Sequence, residues 1–472
     1  MSDGTLEPLE STSALDSKEV DKSQVFAWSL WEWGSGAFNT IITTFVFSVY
    51  LTDQVAKTET EGSQALGWGM GLGGLLIALL APVTGQRSDR GGRRKLWLGV
   101  NTAAVCVTIA CGFFVKPDPK YLVPGIAVIA IANIFFQFAE VNNNAILLQV
   151  SNKKSLGKIS GFGWGMGYVG GIVALLIALV GFATVPKGKN HSLFGVPTAE
   201  SLNIRALCIF AAVWFFVSML PLLYKVPEIA PRNIEQEKET IAESYKKLWA
   251  TVKRIYKEDR NIIKFLISSA LFRDGLAAVF QFAAILAVGT YGLNQQQVLV
   301  FAIVANLFAA LGAMSAGWFD DHFGPKIVIV VSLASLMIAG IILFLVPSLI
   351  PAKKTEGFWI IALILCLFVG PAQSSSRTFL ARMARRGQEG ELFGLYATTG
   401  RAVSFLAPTL FALCISLALP HVGHADAQRW GIWGIIITVA LGLGTLLSVS
   451  PPTTEEESPL AKAATQPRAD MY

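Results

Sequence analysis

Charge is what this sequence has too little of. Of its 472 residues, 15% are Asp, Glu, Lys or Arg, against about 25% in a soluble domain. With 53% hydrophobic residues and a mean hydropathy of +0.53, the deficit excludes a disordered chain and an ordinary soluble enzyme. Cysteine is scarce too. Cys106, Cys111, Cys208, Cys366 and Cys414 all lie in apolar runs with no CxxC, so neither a disulfide scaffold nor a thiolate metal site is indicated. His421 and His424 near Asp426 stand in an external loop without a helical zincin context, so no metal is expected. No nucleophile triad and no phosphate loop is present, which makes an enzyme the poorest reading and leaves no cofactor to expect. Residues 1–24 hold Asp3, Glu7, Glu10, Asp16, Glu19 and Asp21 rather than a basic start and an apolar core. They read as a disordered cytosolic tail, not a signal peptide.

What the chain has is long apolar runs. A bilayer core about 30 Å thick takes roughly 20 helical residues to cross. Twelve segments reach that length, near 26–51, 64–84, 95–115, 122–150, 158–184, 205–225, 262–290, 297–319, 326–348, 357–379, 391–419 and 429–449. None has the ten-residue alternation of a barrel strand. With the amino terminus in the cytosol, internal loops, tails and helix ends hold 27 Lys and Arg, Arg377 among them, and the external side holds nine. That bias fits the positive-inside rule, puts both termini inside, and makes the net charge of +6 a statement about orientation, not about a nucleic-acid partner. Residues 227–260 form the longest polar loop. Within it Ile241, Tyr245, Leu248, Val252 and Ile255 recur at helical spacing among Lys246, Lys247, Lys253 and Arg254, which predicts an amphipathic helix on the inner membrane surface. Beyond it, residues 451–472 read as a second disordered tail.

A repeat divides the rest. Gly85-x3-Asp89-Arg90-x-Gly92-x-Arg94 follows the second span, and Gly317-x3-Asp321-His322-x-Gly324-x-Lys326 follows the eighth. Each joins the second and third spans of a six-span unit, the internal duplication common among secondary transporters. The expected architecture is an all-α membrane protein of twelve transmembrane helices in two pseudo-symmetric six-helix bundles, residues 25–226 and 261–450. Asp89 sits among Arg87, Arg90, Arg93, Arg94 and Lys95. There its carboxylate can pair with guanidinium groups and accept hydrogen bonds from a neighbouring helix amino terminus. The bland alternative is a loop whose charges merely set topology.

With these motifs the chain resembles the major facilitator superfamily. The stretches Trp28–Asn39, Phe45–Tyr50, Ser160–Gly171 and Phe272–Gly275 look like the branch containing fungal vacuolar amino-acid effluxers linked to autophagy and their bacterial relatives. The resemblance covers roughly residues 25–450. It implies a gating latch at Gly85, Asp89, Arg90, Gly92 and Arg94 and at Gly317, Asp321, Gly324 and Lys326. It also implies a central cavity lined by the first, fourth, seventh and tenth helices. Compact loops favour a bacterial member in the inner membrane. Two matches to the dinucleotide pattern, Gly69-x-Gly71-x-x-Gly74 and Gly165-x-Gly167-x-x-Gly170, fall inside apolar helices instead of after strands. Glycines such as Gly67 and Gly71, or Gly163, Gly167 and Gly171, are expected to let helices approach closely.

Polar residues inside a membrane are costly and face the bundle interior. Glu32, Ser35, Asn39 and Thr43 form one helical stripe, and Asn133, Gln137, Glu140 and Asn144 another. The seventh span adds Arg273, Asp274 and Gln281; the tenth adds Gln373, Ser374, Ser376 and Arg377. Arg273, Arg401 and Glu140 each lie about ten residues into a span, roughly 15 Å deep. Two cations and two carboxylates, Glu140 and Asp274, suit a zwitterion such as an amino acid, and a desolvated Glu32, Glu140 or Asp274 could carry a coupling proton. The alternative is that these charges only pair with one another. The expected function is a monomeric secondary transporter of a small polar solute, working by alternating access. Its rivals are an exporter of amphiphilic drugs or lipids, for which Trp164 and Tyr168 could serve, and a non-transporting sensor on a transporter scaffold.

Overall fold

The computed structural model describes residues 19–57, 62, 65–66, 68–80, 93–152, 154–228, 241–293, 295–384 and 389–450. Gly67, Gly85, Asp89, Arg90 and Gly92, residues 229–240 of the linker, and residues 1–18 and 451–472 lie outside them, as do the side chains of His424 and Asp426.

The described residues are helical, with one isolated bridge between His191 and Pro197. We number the helices α1 (Lys22–Val55), α2 (Trp68–Leu80), α3 (Arg94–Cys111), α4 (Leu122–Val150), α5 (Leu156–Ala183) and α6 (Leu202–Lys225). After the linker come α7 (Ile241–Glu258), α8 (Arg260–Gly289), α9 (Gln295–Phe323), α10 (Pro325–Leu349) and α11 (Lys354–Met383). The chain ends in α12 (Glu389–Val403), α13 (Leu406–Ala427) and α14 (Gly431–Leu447). Among the described residues ten helices are long and apolar enough to cross a membrane, with α12 and α13 counted as one. The protein is a multi-pass integral membrane protein. The 30-residue α8 and the short apolar α2 stand beside those ten.

Local chemistry sets several helix ends. Asp21 and Asp259 accept the Ser23 and Asn261 amides in the first turns of α1 and α8, each filling one of the amide donors a helix start leaves open. Gly324 takes φ +84° between α9 and α10, a turn that disfavours any side chain, and Pro325 then starts α10 with its φ already helical. Lys326 Nζ donates to the Val449 carbonyl at 2.5 Å just past α14, and Lys95 Nζ to the Val226 carbonyl at 3.0 Å just past α6. Both lysines thus cap the end of a later helix, although in the repeat Lys326 matches Arg94 and Lys95 is the residue after it. Helix α7 is amphipathic, with Val252 and Ile255 against the core and Trp249 and Tyr256 exposed.

Glycine decides how α5 packs. One face meets α1, where Gly36 abuts Gly167 and Gly171, and Gly170 abuts the Trp33 backbone. The other meets α9, where Gly157 and Gly161 lie on Ala313 and Gly317. Both dinucleotide-like patterns therefore lie in helices, and α5 is wedged between the chain's early and late helices. Gly71 does not show its expected role: among the described residues nothing would lie within 4 Å of a Cβ placed there, and within α2 Gly69 and Gly73 make the approaches, to Ile126 and Ala130. Gly161→Leu should lower the unfolding temperature in detergent, since overpacking costs about 1–3 kcal/mol. Gly71→Leu, facing open space, should leave it unchanged.

Candidate functional site

Three layers of polar side chains run through the bundle. The innermost is a buried ion pair. Arg377 on α11 donates through Nη1 to Glu32 Oε1 on α1 at 2.5 Å and to Asn144 Oδ1 on α4 at 3.1 Å. Its Nε reaches Ser160 Oγ at 3.1 Å and its Nη2 the Ser160 carbonyl at 2.7 Å, both on α5. The guanidinium also lies against the rings of Trp28 and Trp164, at 5.2 and 5.7 Å from their centroids. Asn143 Nδ2 donates to the same Glu32 oxygen at 3.0 Å, and its carbonyl accepts Trp28 Nε1. Side-chain exposure is 4% for Arg377 and 13% for Glu32. One guanidinium thus ties α1, α4 and α5 to α11.

A second group borders the first and is less buried. Gln137 Nε2 donates to Glu140 Oε2 at 2.6 Å across one turn of α4. Glu140 lies within charge–charge reach of Glu32, Arg273 and Arg401. Arg273 stacks on the Tyr396 ring at 3.8 Å and donates to the Tyr396 carbonyl at 3.3 Å, beside Gly400. Glu140, Arg273, Arg401, Gln137 and Gln373 are half-buried, and Asn39 and Gln281 exposed. Asn39 sits in a π-helical stretch, Phe38–Phe45, a distortion frequent at functional positions.

Asp274 does not join that group. Its Oδ2 accepts the Ala407 amide at 2.7 Å. Pro408 lies three residues into α13, after a break at Ser404 and Phe405. It has no amide proton and cannot continue α12, so the first amides of α13 need an acceptor, which Asp274 supplies.

The third layer lies at the end of the bundle that carries the repeated motif. Asp321 Oδ1 and Oδ2 accept the Gly157 and Lys158 amides at 2.9 and 3.0 Å, in the first turn of α5. Arg382 Nη2 lies 3.2 Å from Asp321 Oδ1. Arg94 pairs with Glu389 at the start of α12, both nearly buried. Asp320 is fully buried and accepts Ser375 Oγ at 2.6 Å. The kind of interaction foreseen for Asp89, a carboxylate on a helix amino terminus, is seen at Asp321, there with the single guanidinium of Arg382. Sequence reasoning gave no role to Trp28, Asn143, Asp320 or Arg382. The signal for the first two was an Asn142-Asn143-Asn144 run in an apolar helix.

The family described as "Vacuole effluxer Atg22 like" matches residues 148–450. An uncharacterized MFS-type transporter, YxiO of Bacillus subtilis, is 23% identical over 436 residues, 92% of this chain and 96% of that one. Autophagy-related protein 22-1 of Aspergillus fumigatus is 26% identical over 344 residues, 64% of this chain and 53% of the fungal one, so the chain spans about half that relative's length. Among solved structures, the proton:xylose symporter XylE bound to 6-bromo-6-deoxy-D-glucose superposes with a TM-score of 0.68 at 13% identity, covering 92% of this chain and 96% of that one. A bacterial homologue of the iron transporter ferroportin, outward-facing, gives 0.63 at 13% identity over 91% and 99%. At such identities the structures speak for the fold alone. Because the family match takes in well over half of the residues, the chain belongs to the Atg22-like family of major facilitator superfamily transporters.

Proposed function

We propose that this transporter carries a small polar solute, an amino acid, by alternating access between two six-helix bundles, residues 25–226 and 261–450. Helices α2 and α8 bring the spans to twelve, and α7 lies in the linker between the bundles. The motif end faces the cytosol of a bacterial inner membrane, with both termini on that side. The carrying observation is the trio of half-buried charges Glu140, Arg273 and Arg401, set beside a latched motif end. Guanidinium groups can take a carboxylate in bidentate fashion, and Glu140 can face an ammonium. Asp321 of α9 with the first turn of α5, Arg94 with Glu389, and Glu32 with Arg377 hold the motif end shut, and they must part for release to the cytosol. The same closure supports an outward-open arrangement here. A proton taken up by Glu140 would weaken its hold on the guanidinium groups and so couple the two movements. The amphiphile reading loses support because Trp164 lies against Arg377.

The test is counterflow in proteoliposomes, with and without a pH gradient. Glu140→Gln should cut flux at least tenfold and abolish its response to the gradient, with an unchanged unfolding temperature. Wild-type flux with wild-type pH response would remove Glu140 from the mechanism. A protein that binds solute yet moves none would be the sensor.

A further inference from the structure

The charges gathered around Glu140 do not balance, and the imbalance has chemical content. Among the described residues, six acidic or basic side chains lie in or beside the first two polar groups: Glu32, Glu140, Arg273, Asp274, Arg377 and Arg401. Two of them neutralise each other, since Glu32 and Arg377 form a 2.5 Å ion pair. A third, Asp274, is 7% exposed and spends its charge on the amino-terminal amides of α13, where the helix dipole offsets a carboxylate. The half-buried remainder is one carboxylate and two guanidinium groups.

Each of the three keeps capacity for a ligand. Arg273 has one face covered by Tyr396 and one donor used on the Tyr396 carbonyl, which fixes its plane and leaves other N–H groups free to point elsewhere. The Arg401 guanidinium makes no hydrogen bond among the described residues, and it is half-buried. Glu140 uses Oε2 on Gln137, and among the described residues its Oε1 takes no hydrogen bond. A surplus cation removed from bulk water is costly unless a counter-charge arrives.

We propose, resting on the transporter reading above, that the solute is an amino dicarboxylate, an acidic amino acid of net charge −1. Two carboxylates and one ammonium match two guanidinium groups and one carboxylate one for one. A neutral amino acid would leave one guanidinium unpaired, and a cationic one would bring its second ammonium against two guanidinium groups. A plain dicarboxylate would leave Glu140 facing no ammonium.

The experiment is counterflow of labelled L-glutamate and L-aspartate by the full chain in proteoliposomes at clamped potential, competed by L-leucine, L-lysine, succinate and phosphate. Glutamate or aspartate should compete at least tenfold better than each of the other four. Arg401→Gln should shift the glutamate-to-leucine preference at least tenfold toward leucine while its unfolding temperature stays at the wild-type value. A purely structural arginine would not move that ratio. If leucine, lysine, succinate or phosphate is carried as well as glutamate, the charge inference falls and the transporter reading stands. An unchanged ratio in Arg401→Gln also overturns the inference. If no solute moves, the transporter reading falls and takes the inference with it.

Discussion

Arg377→Ala is expected to destabilise the protein by about 3–5 kcal/mol, the range for removing one partner of a buried ion pair. The guanidinium satisfies Glu32, Asn144 and both oxygens of Ser160, and alanine replaces none of these bonds. Glu32 would keep Asn143 at 3.0 Å, a neutral donor that cannot balance a carboxylate in a low-dielectric setting. Arg377→Lys should fail nearly as badly, because one ammonium cannot span acceptors on three helices that a planar fork reaches together. Glu32→Gln with Arg377→Met should recover much of the loss, since no uncompensated charge remains. Denaturant unfolding in micelles on the two singles and the double gives the coupling energy. A single and double that unfold at the same denaturant concentration would show that Glu32 is not what Arg377 serves.

How these charges divide was only partly written in the sequence. The apolar runs marked the helices well because spanning a bilayer constrains length and composition together. Glu140 with Gln137 was legible for a similar reason, as residues three apart share a helix face. Arg273 and Asp274 were misleading neighbours. Consecutive residues on a helix point about 100° apart, so one reaches Tyr396 and the other Ala407. Pro408 was the available clue that a carboxylate would be wanted at the start of α13. Arg377 was visible among the polar residues of the tenth span, but a length argument, which counted it among the basic residues at helix ends, kept it out of the mid-membrane charges. In fact α11 runs on to Met383, and the residue is 3% exposed beneath α1 and α5. The repeat was more direct, since the kind of contact argued for Asp89, a carboxylate on a helix amino terminus beside a guanidinium, is made by its counterpart Asp321.

Asp321→Ala should open the motif end. In the closed arrangement the carboxylate takes two amide protons from the first turn of α5 and lies beside Arg382. A helix amino-terminal cap of this kind is worth about 0.5–2 kcal/mol, and its charge adds up to about 2 kcal/mol when partly buried. None of this survives once α5 and α9 separate, so the loss falls on the closed state alone. Removing about 2 kcal/mol shifts the open-to-closed ratio roughly 30-fold, at tenfold per 1.4 kcal/mol. Spin labels at Tyr224→Cys and Phe323→Cys, both exposed positions near that end, report it in a background with the five native cysteines replaced by alanine. The distance distribution should move to a longer component in Asp321→Ala. In Asp321→Asn it should move part of the way, because the amide keeps one acceptor and gives up the charge. Lys326→Ala is the matched control. Its side chain caps α14, which follows it on the same side of the linker, so it should lower stability without changing the distance. If the alanine variant at Asp321 leaves the distribution where Lys326→Ala leaves it, the carboxylate caps α5 without latching the two bundles.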